Sequence, residues 1–163
     1  MPDRGEGLLL SRSLSAAQAV SQLDTDNLKC LICSEKTIPP SKNVMPGKGI
    51  ESLTELNFLI TEATNSVQPK RVAIDILSDI LLRHRALQTR KWLNELLERL
   101  RSKGITTLAV INPNMHSKEE TEAVLDMFEG NLEIIEKDIE GTLRKFLRIK
   151  WIHGVDVGEK EFM

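Results

Sequence analysis

The sequence predicts an α/β fold in three layers: a mostly parallel sheet with helices on both faces and a C-terminal antiparallel hairpin. Three observations carry this. Short apolar runs of strand length alternate with segments of helical periodicity, the pattern of a parallel sheet covered on both sides. Capping boxes and Gly or Pro stops punctuate those segments. Near the C-terminus, two strand-like runs lie close enough in sequence to form a hairpin. The length of 163 residues predicts one domain, 1–163. A domain of that size buries roughly 70% of its unfolded surface and needs neither disulfides nor a metal to hold a core.

The elements follow in order. Leu8–Ser11 reads as a short buried strand entered through Gly5 and Gly7. Ser13 or Ser15 caps a helix in which Ala16, Val20 and Leu23 recur at helical spacing. Leu28–Cys33 is a second apolar strand. Residues 34–49, with Pro39-Pro40, Pro46, Gly47 and Gly49, read as a long connection. Ser52-Leu53-Thr54-Glu55 is a capping box, opening a helix with Leu56, Leu59, Ile60 and Ala63 on one face. Arg71–Leu77 is a strand interrupted by Asp75. Leu87–Lys103 is the clearest helix, with Leu93, Leu96, Leu97 and Leu100 inward and Gly104 as its stop. Thr106–Ile111 is rich in β-formers.

Ser117-Lys118-Glu119-Glu120, a second capping box, opens a helix that runs to Phe128. Leu132–Glu136 is a strand, Asp138–Gly141 a turn, and Leu143–Trp151 alternates. That alternation points Leu147, Ile149 and Trp151 inward and Arg144, Arg148 and Lys150 outward. The helix 117–128 is long enough for a right-handed crossover, so Thr106–Ile111 and Leu132–Glu136 are expected to pair directly as parallel neighbours.

Composition narrows the function. Lys plus Arg number 22 and Asp plus Glu 24, a net charge of −2, which argues against binding driven by bulk attraction to nucleic acid. Aromatics make up 4% with no Tyr, too few for base-stacking platforms. No apolar run approaches a membrane span and no signal peptide is evident, so a cytoplasmic location is expected. Cys30 and Cys33 form C-x-x-C, but residues three apart on a strand face opposite sides and no second pair exists, so both read as buried thiols. His84, His116 and His153 lack ligand spacing and read as surface residues; no metal site is expected.

Asp75 is the most informative position. A carboxylate in Val72-Ala73-Ile74-Asp75-Ile76-Leu77 costs several kcal/mol unless it is paired or sits at an open strand end. Ligands bind at that end of open parallel sheets. An apolar strand closed by Asp is the Walker B arrangement, in which the carboxylate holds Mg²⁺. From the local pattern alone the favoured reading is a strand-end Asp capping the next turn, helped by Asp79. Arg83, Arg85, Arg90 and Lys91 form a basic cluster beyond this strand, either an anion or partner contact or a solvated helix start. Asn112, closing the next strand before Pro113, is a polar strand-end group or a plain turn signal.

The run Arg71-Val-Ala-Ile-Asp75-Ile-Leu-Ser78, a helix, Lys103-Gly104-Ile105-Thr106-Thr107-Leu108 and a charged hairpin resembles the second half of KaiC-type members of the RecA-like ATPase superfamily, common in archaea. The resemblance covers about residues 70 to 158. Residues 7 to 65 resemble it more weakly, and are also similar to an archaeal family of uncharacterised regulatory domains through Gly7-Leu8-Leu9-Leu10-Ser11-Arg12. It implies a RecA-like core, a Walker-B-like role for Asp75, a sensor position at Asn112 and a hairpin lysine at Lys150.

Several family parts have no counterpart here. No G-x-x-x-x-G-K-[ST] segment occurs; the nearest fragment, Gly47-Lys48, has Lys42 and Gly49 at the flanking motif positions and reads as a turn. The family's acids close the strand after the P-loop, whereas Leu8–Ser11 runs into Arg12-Ser13. The hairpin's Lys-x-Arg-Gly becomes Lys150-Trp151-Ile152-His153-Gly154. The expectation is a RecA-like core without the P-loop strand, a pseudo-ATPase with no catalytic residues and no cofactor, acting as a regulatory or protein-binding module. The alternative is a subunit of an ATPase assembly, or a nucleotide sensor, whose P-loop comes from a partner chain; ATP and Mg²⁺ bind only in that case. The partner implied is protein, either a second copy or a P-loop ATPase, with no membrane and no nucleic acid.

Overall fold

The computed structural model describes residues 6–23, 26–36, 38–39, 41–157 and 161–162. Gly5 and Pro40 lie outside them. The chain divides into two compact units, Met1–Thr121 and Glu122–Met163.

The first unit holds five parallel strands in the order β3-β2-β1-β4-β5. They are β1 (Gly7–Ser11), β2 (Leu28–Ile32), β3 (Val44–Pro46), β4 (Arg71–Asp75) and β5 (Thr106–Ala109), with helices α1 (Leu14–Gln22), α2 (Leu53–Val67) and α3 (Leu77–Ser102) between them. Register assigns the faces. Leu8 lies beside Val72, and Leu10 beside Leu31 and Ile74. These side chains are all buried, as are Leu56 and Ile60 of α2 and Leu93 and Leu96 of α3. On the other face Cys30 and Ile32 pack with Val44 and with Ala17 and Val20 of α1, and Leu9 packs against that cluster. Further along this face the cover thins: Ala73 is half-buried, and its neighbour Leu108 is exposed.

Local chemistry accounts for the helix starts. The Ser13 hydroxyl accepts the Ala16 N–H at 3.2 Å, and Ser52 accepts that of Glu55 at 3.2 Å. At Ser117 the capping box is reciprocal: Ser117 Oγ accepts the Glu120 N–H at 3.2 Å and Glu120 Oε2 accepts the Ser117 N–H at 3.2 Å, opening α4 (Lys118–Leu125).

Two elements differ from expectation here. Residues 34–49 contain β3, whose three residues, one of them Pro46, are too few to show a period. The helix expected over Leu87–Lys103 begins at Leu77 and breaks at Arg85, where φ is 59° and ψ 170°. Both halves share helical periodicity, so the pattern conceals the break. The Thr89 hydroxyl donates across it to the Ile80 carbonyl at 3.4 Å.

The second unit is an antiparallel sheet of β6 (Gly130–Ile139), β7 (Thr142–Ile152) and the two-residue β8 (Glu161–Phe162). Glu140 and Gly141, both at positive φ, make the tight turn. The expected direct pairing of Thr106–Ile111 with Leu132–Glu136 does not occur. The latter segment belongs to β6, which pairs along its length with β7, because a two-residue turn closes a hairpin at little loop entropy. No described strand lies on the outer side of β5. The inward expectation for Leu147, Ile149 and Trp151 along β7 does not hold: Leu147 is exposed, Ile149 and Trp151 are half-buried, and Ile134 opposite Leu147 is 74% exposed. The register slips by one between Asn131 and Leu132, leaving Lys150 as the extra residue.

Candidate functional site

Because all five strands of the first sheet run parallel, their carboxyl ends share one edge. Ser11 and Asp75 sit in register at the ends of the adjacent central strands. The buried Ser11 hydroxyl donates to Asp75 Oδ2 at 3.1 Å and accepts the Ser13 N–H at 3.1 Å. The Ser11 carbonyl accepts the Cys33 N–H at 2.8 Å, tying the end of β1 to that of β2. Asp75 therefore lies where β4 stops, exposed on one side and held by a hydroxyl on the other. The next residue along β1, Arg12, forms an ion pair with Asp79 of α3 at 2.9 Å. In the first turn of α3, the Ser78 hydroxyl accepts the Asn112 N–H at 2.8 Å. Asn112 Oδ1 accepts the Asn114 N–H at 3.1 Å, so its side chain caps the turn at Pro113–Met115.

The structure thus gathers Ser11, Arg12, Asp75, Ser78, Asp79 and the Asn112 backbone on one edge. It does not bring the basic cluster there. Arg83 is eight residues beyond Asp75 along α3, about 12 Å of helix, and faces Glu51 at 3.9 Å. Arg85 occupies the break, and Arg90 and Lys91 are exposed beyond it. Lys150, in the second unit, pairs with Glu133 at 2.7 Å. His84, expected on the surface, is half-buried, with Nε2 2.6 Å from the Ile50 carbonyl, and fixes α3 to the segment entering α2.

A cleft of about 240 Å³ opens beyond β2 and β3, lined by Glu35, Gly47, Lys48, Gly49, Glu51, Ser52 and Glu55. Here Gly47 and Lys48 lie in irregular chain directly after β3 rather than in the expected turn. The Gly47 N–H donates to the Ile32 carbonyl at 2.9 Å, and a Cβ on Gly47 would lie 2.5 Å from that oxygen. Lys48 reaches Glu55 at 3.5 Å. The three glutamates outnumber the one lysine in this lining, a balance that disfavours phosphate.

Both cysteines are buried free thiols. Burial, reinforced by the Asp75 charge, pushes the Cys30 thiol up to about 11. Burial first and Cys30 second push Cys33 up to about 12, against a lowering influence of Arg12.

Sequence reasoning singled out Asp75 but not Ser11 as its partner, nor the Arg12–Asp79 pair. The available signal was the polar pair Ser11-Arg12 closing an apolar run, the same signature that marked Asp75.

A fold of this kind is known. A KaiC-like protein from the hyperthermophilic archaeon Pyrococcus horikoshii OT3 superposes with a TM-score of 0.63 at 17% identity, over 96% of this chain and 71% of that one. At this identity the likeness establishes the fold. No curated protein matches in sequence. The family model for the KaiC ATPase matches residues 20–163, well beyond the stretch whose motifs suggested it. The chain belongs to the KaiC ATPase family.

Proposed function

We propose that this chain is a KaiC-family domain that does not hydrolyse ATP on its own and serves as a regulatory or protein-binding module. The observation that carries the reading is the pairing at the strand-end edge. The residue after β1 is a cation bonded to Asp79, and the Asp75 carboxylate is held by Ser11. Phosphoryl transfer depends on positioned charge around the phosphates and on a base for the attacking group. Asp75 is suited to carry Mg²⁺ through water. The fit to Mg²⁺–ATP stops there: the Gly47 N–H is committed to the Ile32 carbonyl, the cleft beside it is lined by glutamates, and the 163 residues contain no phosphate-cradling motif.

The test is steady-state ATP turnover by the purified chain, with Asp75→Ala alongside, together with thermal shifts against ATP, ADP and cyclic nucleotides with and without Mg²⁺. No turnover and no shift are expected. Turnover that scales with enzyme and vanishes in Asp75→Ala would overturn the reading. A shift without turnover would replace it with the sensor alternative, since binding stabilises the native state by mass action.

A further inference from the structure

The two edges of the five-stranded sheet are built differently. On the β3 side the strand is three residues long and ends in Pro46. Shortness and proline are common devices by which proteins block unwanted strand pairing. The β5 side, four residues long, has no proline. Residues 104–112 contain no charge, no proline and no bulge. On the uncovered face of this strand, Leu108 is 55% and Val110 52% exposed.

Backbone direction settles which groups are free. The Thr106 N–H donates to the Lys70 carbonyl at 3.0 Å and the Val110 N–H to the Ile74 carbonyl at 2.9 Å. In a parallel ladder alternate residues face the same neighbour. The even-numbered residues therefore bond inward to β4, and the N–H and C=O groups of Thr107 and Ala109 point outward. Among the described residues these groups have no strand partner.

We infer that this edge pairs with the β5 edge of a second copy of the chain, antiparallel about a two-fold axis at Leu108. The register follows from the outward groups. With Leu108 on the axis, Thr107 faces Ala109 of the partner copy, and each such pair exchanges both of its hydrogen bonds, about four in all. Leu108 meets Leu108 across a non-hydrogen-bonded position, where side chains approach most closely, and Thr106 meets Val110 on the same face. The neutral run 104–112 brings no like charges together. Any other occupant needs a matching uncharged strand, whereas a second copy supplies one whenever the protein is present, as closed two-fold assemblies do. The contact is small, so the association is weak and concentration-dependent. The inference deepens the reading of the chain as a protein-binding module by naming one surface and its partner. It fails separately from that reading, because the nucleotide tests do not measure self-association.

The experiment is sedimentation velocity on the purified chain from about 10 µM to about 1 mM, a range that spans weak self-association. Hydrogen exchange is read at both ends of it. The mass should rise from 18.4 kDa toward twice that value, and the Thr107 and Ala109 amides should slow several-fold at high concentration. Ala109→Pro removes an outward N–H and leaves the bonds to β4 in place, so it should remain monomeric with an unchanged melting temperature. Leu108→Lys, on the exposed face, places a charge on the axis and serves should the proline variant fail to fold. A wild-type chain that is monomeric to about 1 mM would overturn the inference. So would self-association that persists in the folded variants or leaves those two amides unchanged.

Discussion

Arg85→Gly should stabilise the protein, although it places glycine inside what sequence periodicity reads as a helix. At φ 59° and ψ 170° Arg85 occupies a region essentially confined to glycine, because a Cβ there collides with its own backbone. Holding a non-glycine residue in that conformation costs about 1–3 kcal/mol. Glycine removes the collision but widens the unfolded ensemble, giving back about 0.4–1 kcal/mol. The net expectation is a gain of about 0.5–2 kcal/mol, a few degrees of melting temperature for a chain of this length. Arg85→Ala is the control, since it deletes the same exposed side chain without freeing φ. Urea melts of the two variants, followed by circular dichroism, decide the point: Gly should exceed Ala by about 0.5–2 kcal/mol. In a continuous helix the order reverses, with Gly about 1 kcal/mol below Ala. That reversal would refute the break at Arg85.

Two further predictions concern titrating groups. Burial raises Cys30 to about 11 and Cys33 to about 12, so at about pH 8 an aromatic disulfide reagent should modify the native thiols more than about a hundredfold more slowly than the unfolded ones; prompt labelling of the native chain would contradict the packing of β2. Hydrogen bonds from Arg148 and Lys150 hold the Glu133 carboxyl below its ordinary value of 4.5. The folded state then binds fewer protons than the unfolded one, so the stability this group contributes is fully present above that value and is lost as pH falls through the depressed one. With both cations more than 40% exposed, the contribution is about 1 kcal/mol or less. The gap in urea midpoint between wild type and Glu133→Gln should narrow from about pH 7 to about pH 3.5, and an undiminished gap would remove the ionic argument.

How much of this was legible in the residues depends on the range of the physics involved. Helix starts at Ser13, Ser52 and Ser117 were readable because a cap is a contact between neighbours three residues apart. The hairpin was readable from alternation and from Gly141. Its assignment to a separate sheet was not, since strands compete for partners by total pairing, which no local pattern records. Asp75 announced itself as a carboxylate in an apolar run. Its hydroxyl partner, 64 residues away, depends on β1 and β4 being neighbours in register, a property of strand order. The Asn112 turn was readable in Asn-Pro, whereas its anchor on Ser78 was not, for the same reason.

Strand direction also separates the two roles considered for this chain. In a parallel sheet the strand-end groups Ser11, Asp75 and Asn112 lie at the carboxyl edge. Antiparallel pairing of β5 with its copy reverses that edge in the second protomer, so the two Asp75 positions fall at opposite ends of the joined sheet. A copy bound in this way adds no side chain to the strand-end site of its neighbour. Self-pairing through β5 and completion of a nucleotide site in trans are therefore different events on different surfaces. An ATPase activity that appeared only in an assembly would have to be completed by a chain approaching the carboxyl edge itself, past the Arg12–Asp79 pair, and would survive Ala109→Pro. Activity abolished by Ala109→Pro in a folded chain would instead tie the site to β5, a link that antiparallel geometry does not provide.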